Sequence, residues 1–188
     1  MTARLEVLLT GYVEERDDGE HVRPTVSLVR SGELTMVVDP GLVASPEEIA
    51  GALGAAGVAT EDVTHVFLTH HHVDHTRNAG QFPAAVVVDG GSIYRGDVWS
   101  EHAGEGFVLA EGVSVISTPG HSPECASLVV ETDEGTAVLT HAWWFPDRTP
   151  TIDPLASDQG ALEESRRRIL AVADIVVPGH GAPFHVTG

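Results

Sequence analysis

The chain has 188 residues, 42% of them hydrophobic, and a mean hydropathy of +0.04, which describes one folded domain over residues 1–188 with a full core. Ten basic residues, all arginine, stand against 28 acidic ones for a net charge of −18. Lysine Schiff-base chemistry is therefore excluded, and a nucleic-acid backbone would be repelled over most of the surface.

Residues 4–13, 21–30 and 34–38 are rich in Val, Leu and Thr and are broken by Asp17-Asp18-Gly19-Glu20 and Ser31-Gly32-Glu33, so they are expected to form antiparallel strands joined by hairpins. The third ends in Asp39-Pro40-Gly41, a turn that closes a strand. Ser45-Pro46 then opens a helix running through Ile49 and Leu53 to about Gly57, with serine as N-cap and proline at the first helical position. A buried strand over His65 to Leu68 leads into a loop. Residues 84–88 form another strand, Gly90 to Gly106 an irregular rim loop carrying Tyr94, Glu101 and His102, and 106–117 two further strands. A hairpin over 126–132 and 135–140 follows. Ser157-Asp158 caps a helix over roughly 159–172, whose Leu162, Ile169, Leu170 and Val172 form the apolar stripe. Asp174 to Val177 is a last strand. No apolar run approaches the roughly 20 residues of a membrane helix. Residues 1–5 lack the apolar core of a secretory signal, and Cys125 is the single cysteine, so a cytoplasmic protein without disulfides is expected.

The loop after His65 to Leu68 is the chemical centre of the sequence. Thr69-His70-His71-His72-Val73-Asp74-His75 holds four histidines and one carboxylate in seven residues. Neutral imidazole and carboxylate oxygen together suit zinc and its neighbours. His70 and His72 alternate with His71 in an extended chain and share a face. Further histidines end other strand–loop segments, in Thr118-Pro119-Gly120-His121, Thr140-His141 and Pro178-Gly179-His180-Gly181.

The order His-x-His-x-Asp-His, then Thr-Pro-Gly-His, then Pro-Gly-His-Gly resembles the metallo-β-lactamase-fold superfamily over nearly the whole chain. Within it, Glu164 to Leu170 continuing through Ala173 to Gly181 most resembles the metallo-β-lactamase domain-containing protein 1 group and its bacterial relatives. The resemblance implies an α+β fold, an αββα sandwich with a metal site at one edge between two mostly antiparallel sheets. Carried over, His70, His72 and His121 would bind a first metal, and Asp74, His75 and His180 a second. Asp39 would support the ligand loop from behind. Two zinc ions are implied, with iron or manganese as alternatives. Two ions roughly 3.5–4 Å apart can share a hydroxide and make a nucleophile at neutral pH. Asp74 could also orient that hydroxide or take its proton.

One position departs from the family pattern. Where the family usually has Gly-Asp, with the aspartate bridging both metals, this chain has Thr140-His141. A carboxylate spans two cations with two oxygens and a charge, whereas neutral imidazole offers one lone pair. His141 is therefore expected to ligate the second metal only, or to leave that site weakly filled. His71 sits at a variable position of the motif and is not expected to ligate. His21, His65, His102 and His185 have no motif context and read as surface or packing residues. Trp143-Trp144-Phe145 suit either a core or homodimer contact or an apolar wall for substrate, with Trp143 and Trp144 as the pocket candidates.

The function implied is a metal-dependent hydrolase of a small-molecule ester, thioester or amide. The alternatives are a mononuclear or iron-bearing oxidoreductase of the same fold, and a catalytically weak metal-binding protein. The chain is too short for the helical domain of glyoxalase II-type thioesterases, and it lacks the extra domain and basic surface of the family's nucleases.

Overall fold

The computed structural model describes residues 2–146 and 150–187. The strands are β1 (Arg4–Leu9), β2 (Tyr12–Arg16), β3 (Gly19–Arg23), β4 (Val26–Ser31), β5 (Leu34–Val38), β6 (His65–Phe67), β7 (Val86–Val88), β8 (Ser92–Arg95), β9 (Val98–Glu101), β10 (Phe107–Ala110), β11 (Val113–Ser117), β12 (Ala126–Thr132), β13 (Gly135–Thr140), β14 (Ile175–Pro178) and β15 (Phe184–His185). The helices are α1 (Pro46–Ala55), the single-turn α2 (Val73–Thr76) and α3 (Gln159–Leu170).

Two sheets form. The first runs β1-β4-β5-β6-β7-β8-β9 and the second β10-β11-β12-β13-β14-β15, while β2 and β3 pair as a separate ribbon. Most neighbours are antiparallel; β5-β6, β6-β7 and β13-β14 are parallel, because α1, the α2 loop and α3 carry the chain back between them.

The apolar runs in the strands are continuous because both faces of each sheet are covered, and the two-residue side-chain period sorts alternate residues to opposite faces. Val29, Met36, Val38, Phe67 and Val88 meet Val115, Leu128, Val130, Leu139 and Val177 in the core between the sheets. Their neighbours Val26, Leu28, Val37 and Val66 turn outward onto Ile49 and Leu53 of α1. On the far side, Val138 and Val176 turn outward onto Leu162 and Ile169 of α3. The layers are therefore α, β, β, α.

Several local readings change. The segments 4–13 and 21–30 each break in two, at Thr10-Gly11 and Pro24-Thr25, so that β2 and β3 leave the first sheet. The chain from Gly90 to Gly106 is not an irregular loop: β8 and β9 form a hairpin around Gly96, at φ 61°, and extend the edge of the first sheet. Ser45 stands at the N-cap of α1, but its hydroxyl does not cap the backbone. Asp158 does cap α3, accepting from the Ala161 amide at 2.9 Å.

Candidate metal centre

Every predicted ligand comes from the segment following a strand, and those segments gather at one edge of the sandwich. His70 and His72 follow β6, Asp74 and His75 lie on α2, His121 follows β11, His141 follows β13 and His180 follows β14. The parallel pairing of Thr140 with Pro178 sets His141 and His180 one and two residues beyond the same rung. Gly120 has φ 141°, and a Cβ there would come within 2.3 Å of the α3 backbone at Leu162, so only glycine lets that loop close down.

The ligand groups form overlapping sets. Donor atoms of His70, His72 and His121 lie within 4.8 Å of one another, as do those of Asp74, His75 and His180, and those of His70, His75 and His141. His72 Nδ1 is 3.1 Å from His121 Nε2. In the second set, His75 Nε2 is 3.3 Å from Asp74 Oδ2 and 3.5 Å from His180 Nε2, and His180 Nε2 is 3.5 Å from Asp74 Oδ2.

The outer nitrogens decide what the inner ones present. His75 Nδ1 faces Asp39 Oδ2 at 2.9 Å, His121 Nδ1 faces Asp153 Oδ2 at 2.8 Å, and His180 Nδ1 faces the Arg23 carbonyl at 3.0 Å. Each outer partner is an acceptor, so each neutral ring carries its proton outside and turns a bare Nε2 inward. His70 behaves likewise: its Nδ1 lies 3.2 Å from Thr69 Oγ1, whose own proton goes to Asp39 Oδ2. That leaves His70 Nε2 buried with no partner, and His141 Nδ1 is in the same condition. Buried unpaired nitrogens are costly unless something fills them. Imidazole nitrogens 3.1–3.5 Å apart match the roughly 3.3 Å separating two ligands held 2.0–2.1 Å from a tetrahedral zinc. The residues present fit a divalent metal.

Asp39 is the main support. It is buried, and its carboxylate also accepts from the Thr69 amide at 2.8 Å, so one side chain fixes both the start of the ligand loop and His75. Its own backbone is left-handed, at φ 49°. Asp153 plays the matching part for His121 and also accepts from the Trp144 indole at 3.1 Å. Asp153 and the Arg23 carbonyl were not legible in the sequence.

His141 stands between the sets rather than within the second alone. Its ring centre is 4.2 Å from that of His121 and 4.4 Å from that of His70, but also 4.8 Å from His75 and 5.2 Å from His180. Its Nε2 meets His180 Nε2 at 3.2 Å. His71 points away, to Asp89 Oδ2 at 3.0 Å. Of the two tryptophans, Trp144 lines the cleft above the donors, whereas Trp143 packs against Phe184 and under the Arg166 guanidinium in the core beside α3. Burial pushes the Cys125 thiol up to about 11, and the side chain is closed into a turn with Ser122.

The electrostatics without metal are lopsided. Burial lowers His70 and His141 well below the usual histidine range and His180 to about 4, with the charge of neighbouring imidazoles adding to it. Burial also opposes charge on His75, but Asp39 and Asp74 outweigh it and raise that ring to about 9. Asp74, despite burial, is held at about 2 by its bond to His75. The metal-free protein thus keeps one proton where a metal would place its charge. Stabilisation from charged His75 is complete below the unfolded value near 6.5 and is lost as pH rises through about 9. For His70, His141 and His180 the unfolded chain takes up protons first, so stability also falls as pH drops below 6.5. Burial lowers His121 and His65 as well, so chelator-treated protein is expected to be most stable near pH 6.5 and to lose stability more steeply on the acid side, where five histidines act instead of one. Urea midpoints across pH 4.5–9.5 check this; a flat profile from 6.5 to 9 would contradict the His75–Asp39 pairing.

Comparison with known proteins agrees with this geometry. Residues 21–182 match the metallo-β-lactamase superfamily, and the chain belongs to it. Among its relatives, the chain is 36% identical to metallo-β-lactamase domain-containing protein 1 of Xenopus laevis over 97% of its own length and 81% of that protein. It is 40% identical to the Homo sapiens protein of the same name over 80% of its length, spanning 59% of the human protein. Among solved structures, it superposes on a Thermotoga maritima protein described as a candidate metallo-β-lactamase with a TM-score of 0.73 at 22% identity, covering 98% of this chain and 100% of that one. An N-acyl homoserine lactone hydrolase aligns with a TM-score of 0.68 at 18% identity, covering 95% of this chain and 92% of that one. At such identities the structures establish the shared fold.

Proposed function

We propose that the chain is a metal-dependent hydrolase of a small-molecule ester, thioester or amide. The observation that carries this reading is the pair of donor sets opening onto one cleft, with donor atoms facing each other and a carboxylate in only one set. His70, His72 and His121 would hold one ion, Asp74, His75 and His180 another, and His141 reaches toward both. Bound zinc, or iron or manganese in its place, supplies Lewis acidity that polarises a carbonyl and makes water a nucleophile near neutral pH.

The chain's own groups do the rest. Asp39, Asp153 and the Arg23 carbonyl hold three rings in the tautomer that presents a lone pair inward. Asp74 stays ionised down to about 2 and is partly exposed to the cleft, so it can orient the attacking water as a hydrogen-bond acceptor. Trp144 bounds the cleft and limits water around the substrate. The acidic chain and the small cleft support a small-molecule substrate over nucleic acid.

A second reading has its own observation. Two histidines and one carboxylate, His75, His180 and Asp74, are the donor set of non-haem iron oxygenases. Elemental analysis of protein purified without added metal separates the two. About two zinc per chain with hydrolysis of p-nitrophenyl acetate that chelator abolishes supports the hydrolase. One iron per chain with no esterase activity overturns it in favour of an oxidoreductase.

A further inference from the structure

We infer that His71, which joins none of the donor groups, is a positioning residue for the first of them. Held from two sides, it fixes the direction in which His70 and His72 face. The inference rests on the donor sets holding metal, and not on the reaction proposed for them.

In the first two donor sets, one ring lacks outer support. His121 has Asp153 behind it, and His75 and His180 have Asp39 and the Arg23 carbonyl. His72 is exposed, and the nitrogen it turns inward is Nδ1, 3.1 Å from His121 Nε2. Among the described residues no acceptor stands behind its Nε2. The direction of that ring is therefore set by the backbone it hangs from.

His71 governs that backbone. In an extended segment successive side chains point to opposite sides, so a ring held outward at 71 turns 70 and 72 inward together. His71 Nε2 donates to Asp89 Oδ2 at 3.0 Å. Asp89 is 5% exposed and already fixed in place. Its Oδ1 takes the Gly91 and Ser92 amides at 2.9 and 2.8 Å, and its Oδ2 also takes the Tyr94 hydroxyl at 2.9 Å. Burial opposes charge on this carboxyl, but the Gly91 amide, the Tyr94 hydroxyl and the His71 ring outweigh it and hold it below the usual range.

On the other side, the His71 amide donates to Glu124 Oε1 at 3.3 Å. Glu124 lies in the segment between β11 and β12 that also carries His121. The two holding segments touch, since a Cβ on Gly90 would come within 2.5 Å of the Glu124 carbonyl oxygen. The Thr69 carbonyl accepts from the Ala126 amide at 2.9 Å beside them. His71 is thus a peg between a turn of the first sheet and a turn of the second, at the junction that sets His70, His72 and His121 against one another. Its hydrogen bonds and ion pairs among the described residues do not reach Asp74, His75 or His180. The side chain is 49% exposed, so core packing does not account for the arrangement, and removing the ring leaves the fold intact.

The test is cobalt(II) titration against a competing chelator in two backgrounds. Asp74→Ala leaves the first set whole, and His72→Ala leaves the second. Adding His71→Ala is expected to weaken cobalt binding about tenfold in the first background, the scale of losing an outer partner, and to leave the second unchanged. His71→Gln, whose amide N–H can still reach Asp89, is expected to restore the first. Unchanged affinity in the first background overturns the inference, and so does an equal loss in both, which would mark a general loosening of the fold. A glutamine variant as weak as the alanine one overturns the part given to Asp89. Because binding is read without turnover, the two readings fail separately. The expected pattern on a protein that hydrolyses no ester upholds His71 and overturns the hydrolase. Chelator-sensitive hydrolysis with cobalt affinity indifferent to His71 does the reverse, and a chain that takes up no cobalt overturns both.

Discussion

Replacing His70 with alanine is expected to empty both metal positions at once. His70 shares close approach with His72 and His121 and also with His75 and His141, so it belongs, as His75 does, to two of the three donor groups. It is 1% exposed, and its Nε2 has no protein partner. Affinity for metal should fall by more than the roughly 10–100-fold that losing an outer partner costs, and chelator-sensitive hydrolysis should drop to background. The fold should survive, because the change deletes an unpaired buried nitrogen rather than creating one. His72→Ala is the control. That ring is exposed and belongs to the first set alone, so His72→Ala should keep one metal per chain. Inductively coupled plasma analysis of both variants decides the matter; equal metal content in the two would contradict the shared role of His70.

His141→Asp is expected to have the second large effect, in the opposite direction. The imidazole occupies the space between the sets, with ring centres 4.2–5.2 Å away on four sides, and brings no charge. Aspartate is shorter, carries a negative charge and has two oxygens that can face two ions. A unit charge about 4 Å away at an effective dielectric near 20 is worth about 4 kcal/mol, so a gain of at least about tenfold in affinity for the second ion is a conservative expectation. Hydrolysis of p-nitrophenyl acetate should rise with it. The change removes a buried unpaired Nδ1 but buries a carboxylate in its place, so the variant is expected to be less stable without metal and to recover stability when metal binds. Unchanged metal content and unchanged turnover would show that His141 is not standing in for a bridging carboxylate.

Much of this was legible before any coordinates. The candidate ligand side chains stand out because metal chemistry needs particular residue types at tight spacing, and the two-residue alternation in β4, β5, β13 and β14 encodes both faces of each sheet. What stayed hidden has physical reasons. Asp153 lies in a stretch without periodicity, 32 residues from the ring it holds. The Arg23 carbonyl that orients His180 is a backbone group, which every residue has. Trp143 and Trp144 are neighbours whose rings diverge to core and cleft, and composition cannot tell which goes where. The β8–β9 hairpin did leave a signal: Ile93-Tyr94 and Val98-Trp99 flank Gly96, a short apolar pair on each side of a turn residue.

The division of donors between the two sheets has a mechanical consequence. His70, His72, Asp74 and His75 all hang from the first sheet, whereas His121, His141 and His180 hang from the second. Each candidate set spans both, so a bound ion acts as a clasp across the seam of the sandwich, joining segments that are as far apart in sequence as His75 and His180. Parting the sheets would require giving up the ion. Metal present at 100 times its dissociation constant would then add about 2.7 kcal/mol to the resistance to unfolding. The same few atoms that equip the cleft for chemistry would keep its two walls from coming apart.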